Sequence, residues 1–297
     1  MKEESIKFIG RIVAGAYYDM QQIRISTINR IRDIIRKKLE SVKFDEVEKK
    51  KKEKDYLKKY EDKNLPFYLK LLEKKNKITA KEGKYIEKCM EIQHESERIE
   101  NKYKVAMLDY IKTEKVYTEF LEKIRGIGEV LSANLIKEFG DCSRYDNVAK
   151  LWSHTGNDVV GGVAEKKRKG VDLHFSPRLR TFTWKISDCL MKSNKGIYRT
   201  IYNTTKEGQL NREFKKGELL EKYGKPYKKE TVKLSQGHAH NMALRKMRKL
   251  FLSHYWSCAR EMAGLEVKSP YVEAKLGHKN IITWKDAIKR EKQKVKV

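Results

Sequence analysis

Gly126 and Gly128, one residue apart, interrupt an otherwise helix-forming chain, and this turn constrains the fold more than any other feature. Before it Tyr117, Phe120, Leu121 and Ile124 recur at helical spacing, and after it Val130, Leu131, Ala133, Leu135 and Ile136 do the same. Glycine enters backbone conformations closed to other residues and lets a second group approach the main chain. Arg125-Gly126-Ile127-Gly128 therefore reads as the tight turn of a helix-hairpin-helix. The second helix starts at the glycines, so its unpaired N–H groups and positive dipole end face the position an anion would take. The same turn chemistry also serves an αα-corner closed only by packing.

Charge favours the first reading. The chain holds 68 Lys+Arg against 41 Asp+Glu, a net +27, more than solubility requires, and this points to a polyanionic partner. Residues 1–120 carry +8 of that excess and the rest of the chain +19, so the positive field is concentrated from the turn onward.

With 297 residues and 39% hydrophobic content the chain can bury a core, as one domain of roughly 150–180 residues plus a helical extension. No run approaches the ~20 apolar residues of a membrane span. The first ten residues mix charges and lack a signal-peptide core, which predicts a cytoplasmic protein without a membrane partner. Cys89, Cys142, Cys189 and Cys258 form no CxxC pair, which argues against a zinc ribbon and for reduced, mostly buried thiols.

From Ile9 to Leu39 apolar residues recur at three- and four-residue steps and predict one long amphipathic helix. Residues 43–62 hold eight Lys against seven Asp/Glu and read as a solvated, salt-bridged helix. After a break at Asn64-Leu65-Pro66 and a short helix, Thr79-Ala80-Lys81-Glu82 has capping-box spacing and opens a second long helix. Its step Ile92–Ile99–Ala106 fits an antiparallel partner for the first long helix, and equally a dimer seam.

Beyond the turn, Gly140 is expected to end a helix and Asp146 to cap the next. Asp158–Ala164 is the strand-turn signal, expected as one small β-hairpin. Ser176-Pro177 caps and opens a further helix with Leu179, Phe182, Thr183, Ile186, Cys189 and Leu190 inward. Another helix spans about 197–210, followed by a polar loop from Lys215 to Ser235. A long helix from about His238 to Met262 buries Leu244, Met247, Phe251, Tyr255, Cys258 and Met262, with Arg245, Lys246, Arg248 and Lys249 on exposed turns. Residues 290–297 read as a frayed basic tail. The expected fold is mainly α: a long antiparallel helical arm (1–113), a helix-hairpin-helix-containing helical domain with one small β-hairpin (114–263) and a basic C-terminal extension (264–297).

Signals for chemistry are weak. His238 and His240 would sit on different faces of a helix start without a spaced third ligand, and His254 lies on an apolar stripe as a core histidine would. Asp158, Glu165 and Asp172 surround a basic loop and in principle suit Mg²⁺. There is no Walker-type loop, GxGxxG or nucleophile elbow. No metal and no catalytic residue is assigned, and no cofactor is expected beyond Mg²⁺ should the chain be catalytic.

From residue 120 to about 260 the chain resembles the C-terminal transposase domain of the insertion-sequence one-ten family, also called the one-sixteen/nine-zero-two group. The resemblance rests on an ordered set. It runs from Gly126-Ile127-Gly128 through Phe139-Gly140-Asp141, Tyr145 and Ala149-Lys150-Leu151 to Thr155-Gly156 and Gly161-Gly162. It continues through Ser176-Pro177-Arg178-Leu179-Arg180 and Tyr198–Tyr202 to Ala243–Met247. The resemblance implies an N-terminal RuvC-like half with four metal-binding acids and a C-terminal serine nucleophile. Residues 1–120 show no alternating strands to form such a half, and the position just before the glycine pair is Val160, which cannot attack a phosphodiester.

These features predict a nucleic-acid-binding protein, DNA favoured over RNA, related to those transposases but lacking their catalytic residues, with a possible homodimer through the arm. Arg125, Gly126, Ile127 and Gly128 are expected to hold one phosphate run, and Lys166, Lys167, Arg168, Lys169, Arg178, Arg180, Arg245 and Arg248 to extend it. An active transposase or recombinase and a structured-RNA or ribosome-binding protein are the alternatives.

Overall fold

The computed structural model describes residues 2–40, 65–159, 164–165, 169–170, 172–215, 231–268 and 282–292. The solvated helix expected over 43–62 lies outside them. The described residues are mainly α-helical, as the periodicity predicts. They fall into two compact units, residues 1–107 and 108–297.

In the first unit α1 (Lys2–Glu40), α2 (Leu65–Lys74) and most of α3 (Ala80–Ile111) meet around Ile28, Ile31, Ile35, Leu69, Leu72, Ile78 and Ile86. The capping box forms: the Thr79 N–H donates to Glu82 Oε2 at 2.8 Å and the Glu82 N–H to Thr79 Oγ1 at 3.2 Å. Lys38 pairs with Glu82 and Arg24 with Glu100, so α1 and α3 run antiparallel. The expected contact stripe of α3 is corrected by one residue. Ile92 is 53% exposed and Ala106 is exposed, whereas Gln93, Ser96, Glu100 and Met107 are buried. Glu100 explains the rotation: it accepts Arg24 Nε at 2.6 Å and Gln21 Nε2 at 3.2 Å. Sharing these donors under the arm surface fixes the helix face that an apolar count alone places next door.

In the second unit α9 (Gln236–Met262) is the axis. Against it pack α4 (Lys115–Glu119), α6 (Val148–His154), α7 (Pro177–Lys192), α8 (Gly196–Asn211) and α10 (Trp284–Lys292). Leu244, Met247, Phe251, Tyr255 and Cys258 are buried as predicted, and Met262 partly so. Phe120 lies 5.8 Å from Phe251 and 6.2 Å from Trp284 between ring centres. Tyr255 Oη donates toward Gly140 O at 2.9 Å and Trp256 Nε1 to Tyr145 O at 2.8 Å, tying the turn after α5 (Glu129–Phe139) to α9. Gly140 ends α5 at φ +55°, and Ser176 caps α7 with Pro177 at its first turn.

Several expectations shift. Asn147, not Asp146, caps α6, because the Asp146 carboxylate is held by Lys150 one turn on. Of the β-hairpin expected at 158–164, residues 160–163 lie outside the described residues, and Asp158, Val159 and Ala164 have no regular structure. A strand pair not expected from the sequence brackets the polar loop, between β1 (Glu213–Lys215) at its start and β2 (Thr231–Lys233) near its end, antiparallel with Phe214 opposite Val232. Phe214, packed with Leu234 and Met242, supplies the apolar anchor there. Residues 290–292 belong to α10 rather than to a frayed tail, and Glu291 is buried. The four cysteines are free thiols, Cys142 and Cys258 buried.

Candidate nucleic-acid interface

The glycine turn is entered from the five-residue α4 and a 3₁₀ turn at Leu121–Lys123 rather than from an uninterrupted helix. Phe120, at φ −129° and ψ −63°, breaks the helical path between them. The two glycines have different jobs. Gly126 sits at φ +88°, and a Cβ there would lie 2.7 Å from the Cys189 carbonyl oxygen, so its missing side chain serves the packing of α7 against the turn. Gly128 is extended, has open space where a Cβ would be, and begins α5 without a side-chain cap. Ile127 between them is buried. Glu129 already places a carboxylate at the first turn of α5, which weakens the attraction of that helix end for a second anion. Arg125 is half exposed, with Nε 3.8 Å from the buried Glu291 carboxylate.

A stronger concentration of positive charge forms between α7 and α9. Arg180 and Trp184 are one turn apart on α7, and Asn241, Leu244, Arg245 and Arg248 follow at steps of three and four on α9. Together they line a cavity of about 440 Å³. Arg180 is aimed by its surroundings: it donates to the Glu165 carbonyl at 2.7 Å and its guanidinium lies 4.8 Å from the Phe175 ring centre. Gly156, at φ +62°, makes room for that pair, since a Cβ would meet Phe175 at 2.6 Å and Arg180 Cδ at 3.1 Å. Next to it Asn157 donates to Thr155 Oγ1 at 2.8 Å and Thr183 Oγ1 at 3.3 Å, pinning this loop to α7.

Arg245 and Arg248 are the unusual members. Among the described residues neither makes a hydrogen bond or an ion pair, and the Nε of each is buried without a partner. Arg248 is only 6% exposed, so the expectation that it lies on an exposed turn is corrected. Burial and the adjoining Arg245 and Arg180 charges pull it down to about 9, and burial with Arg180 lowers Arg245 as well. Both remain cations at neutral pH. Lys249 joins the group, lowered by burial and Arg245, with its ammonium 4.0 Å from the Trp152 ring centre. Asp158 partly offsets Arg245 and Lys249, but its carboxylate is engaged by His174 Nε2 at 3.1 Å.

Arg260, also on α9 and 7% exposed, shows what a structural arginine looks like in the same domain. Its nitrogens reach the carbonyls of Glu266, Cys142 and Tyr145 at 2.8, 3.0 and 3.2 Å. Arg248 has the same burial and none of these partners. A buried guanidinium without an acceptor is costly, and an incoming anion relieves that cost.

The remaining residues of the expected track are dispersed. Lys166, Lys167 and Arg168 lie outside the described residues, and Lys169 is exposed. Arg178 is occupied by a two-pronged pair with Glu138, at 2.7 and 2.6 Å. Glu165 and Asp158 grip His174 from both ring nitrogens, which raises its pKa. His240 accepts from or donates to Tyr202 Oη at 2.7 Å, and His254 is a satisfied core residue. Among the described residues no group of three His, Cys, Asp or Glu is arranged to hold a metal ion. Trp184, Asn241 and Lys249 are additions to the site. Their helical register with Arg180, Arg245 and Arg248 is visible in the sequence, but the convergence of α7 and α9 is not.

No described helix is long and apolar enough to cross a membrane. Residues 118–202 match the model of the transposase IS116/IS110/IS902 family, so the chain carries a transposase-related domain there. The match takes in the glycine turn, Thr155-Gly156, Ser176-Pro177 and Tyr198–Tyr202, and ends before α9. No curated protein and no solved structure matches the chain.

Proposed function

We propose that this chain is a cytoplasmic, transposase-related protein that binds DNA through its phosphate backbone and has lost the strand-cleaving chemistry of its relatives. The observation that carries this reading is the set of Arg180, Arg245 and Arg248 around one cavity, the last two without a partner among the described residues. A transposase-family domain supports DNA as the polyanion, and the +19 excess beyond residue 120 supports a broad contact. Arg125, Gly128 and the basic run Lys166–Lys169 are proposed as further contacts on the strength of the sequence. Backbone contacts position a protein without reading sequence, so binding follows shape and salt. Val160, at the point where the resemblance places the serine, leaves the domain without that nucleophile.

Binding of the purified chain to duplex DNA, a four-way junction and duplex RNA across a salt series, with Mg²⁺ present, tests this. Tight, steeply salt-dependent DNA binding without cleavage is expected. Chelator-sensitive cleavage would restore the active-transposase reading, and preference for the RNA duplex would move the target to structured RNA.

Pairing of two copies through the arm is the accompanying proposal. Ile12, Ile23 and Ile34 stand 42% or more exposed at eleven-residue steps, which keeps them on one face of α1 with only a slow, right-handed drift along the helix. Light scattering on the chain and on Ile23→Glu tests it: a dimer converted to monomer is expected, and a wild-type monomer sinks it.

A further inference from the structure

We infer that the cavity between α7 and α9 takes one unpaired nucleotide, so that the protein favours DNA in which a base has left the stack over an uninterrupted duplex. The inference rests on the DNA-binding reading and specifies its substrate. Four observations lead to it. First, the charge is graded in depth: Arg180 and Arg245 are partly exposed and can meet a duplex backbone, but Arg248, 6% exposed at the wall of a cavity of about 440 Å³, lies deeper than the outer backbone of a stiff duplex reaches. Phosphate contacts to intact duplex are made by protruding cations, whereas a cavity of this size is that of a small-molecule site.

Second, the walls are divided by chemistry. Trp184, 45% exposed, offers an indole beside the arginines, and Leu244, buried, adds apolar surface. Base stacking on an aromatic ring beside cationic phosphate contacts is how single strands and extruded bases are held. Third, the Asn241 carboxamide forms no hydrogen bond among the described residues and carries both donor and acceptor for a base edge. Fourth, among the described residues no carboxylate lines the cavity, so it suits an anionic ligand rather than an amine. A nucleotide that leaves the stack brings a flat apolar base, a polar edge and a phosphate together, which is the set these walls complement.

The test compares a short duplex with the same duplex carrying one unpaired 2-aminopurine. The bulged duplex is expected to bind about tenfold tighter, since stacking of one base on an aromatic side chain has that worth. Its fluorescence is expected to be quenched as the ring meets the indole. Trp184→Ala brings the affinity ratio to about one, and Trp184→Phe, which keeps a ring, restores part of the preference. Equal affinity of the wild-type chain for both duplexes, with no quenching, overturns the pocket while leaving DNA binding intact. Absence of binding to either duplex overturns the DNA reading itself.

Discussion

Tyr198 Oη and His254 Nδ1 lie 2.7 Å apart in the centre of the second unit, and the geometry fixes which of them gives the proton. His254 Nε2 is 2.7 Å from the Ile282 carbonyl oxygen, an acceptor only, so Nε2 carries hydrogen. Burial pulls the His254 pKa down to about 4, so at neutral pH the imidazole is uncharged, its one hydrogen is the one on Nε2, and Nδ1 is left as the acceptor from the tyrosine. One pair joins α8, α9 and the segment entering α10.

Acid should loosen this unit through that histidine. Its folded pKa is below the unfolded value of 6.5, so the stability it contributes is present above pH 6.5 and lost as pH falls from there through about 4. The full loss is on the order of 3 kcal/mol. Thermal melts across pH 7.5 to 4 are expected to fall more steeply for the wild-type chain than for His254→Gln, and parallel slopes would refute the assignment.

The two glycines of the turn should differ in their tolerance of alanine. Gly126→Ala combines φ +88° with a 2.7 Å approach to the Cys189 carbonyl and is expected to cost about 2–3 kcal/mol in denaturant unfolding. Gly128→Ala meets open space at an ordinary φ and is expected to unfold as the parent does. A weaker DNA affinity of folded Gly128→Ala would mark that residue as a contact.

Removing a cation should stabilise the free protein. Arg248→Met exchanges a buried guanidinium without a partner for an apolar chain of similar length, which is expected to add about 1–3 kcal/mol. DNA affinity is expected to drop in the same variant. Added phosphate should raise the melting temperature of the wild-type chain and leave that of Arg248→Met little changed. A destabilised variant would mean that Arg248 is structural, as Arg260 is.

Two arginines of the same charge should differ in salt dependence. Arg245 has no ion pair among the described residues, and Arg245→Ala is expected to lower the slope of log affinity against log salt by about one unit. Arg178 is held by Glu138, whose side chain is 9% exposed, so Arg178→Ala is expected to cost about 1–2 kcal/mol of stability and to leave the slope nearly unchanged. Equal slopes for the two variants would remove the distinction between paired and unpaired arginines.

The sequence by itself determined what depends on near neighbours. Helix faces such as Leu244-Met247-Phe251-Tyr255-Cys258 repeat every three or four residues, and caps such as Thr79–Glu82 and Ser176–Leu179 close within one turn. Both are therefore legible from spacing. Tertiary structure decided what depends on residues far apart. Arg178 is paired with Glu138 forty residues earlier, Arg260 donates to the carbonyls of Cys142 and Tyr145 more than a hundred residues away, and Arg245 and Arg248 have no partner among the described residues. On paper Arg178, Arg245 and Arg248 are equivalent cations of one basic track, and nothing in the sequence sets Arg260 apart from them in kind. Charge is a property of a residue, but its neutralisation is a property of a pair, and only the crossing of α7 and α9 brings unpaired arginines to one cavity. The same limit explains α3, where a one-residue turn of the helix exchanges Ile92 for Gln93 and Glu100 finds Arg24. Periodicity fixes that a helix has a face, and the partner chooses which face it is.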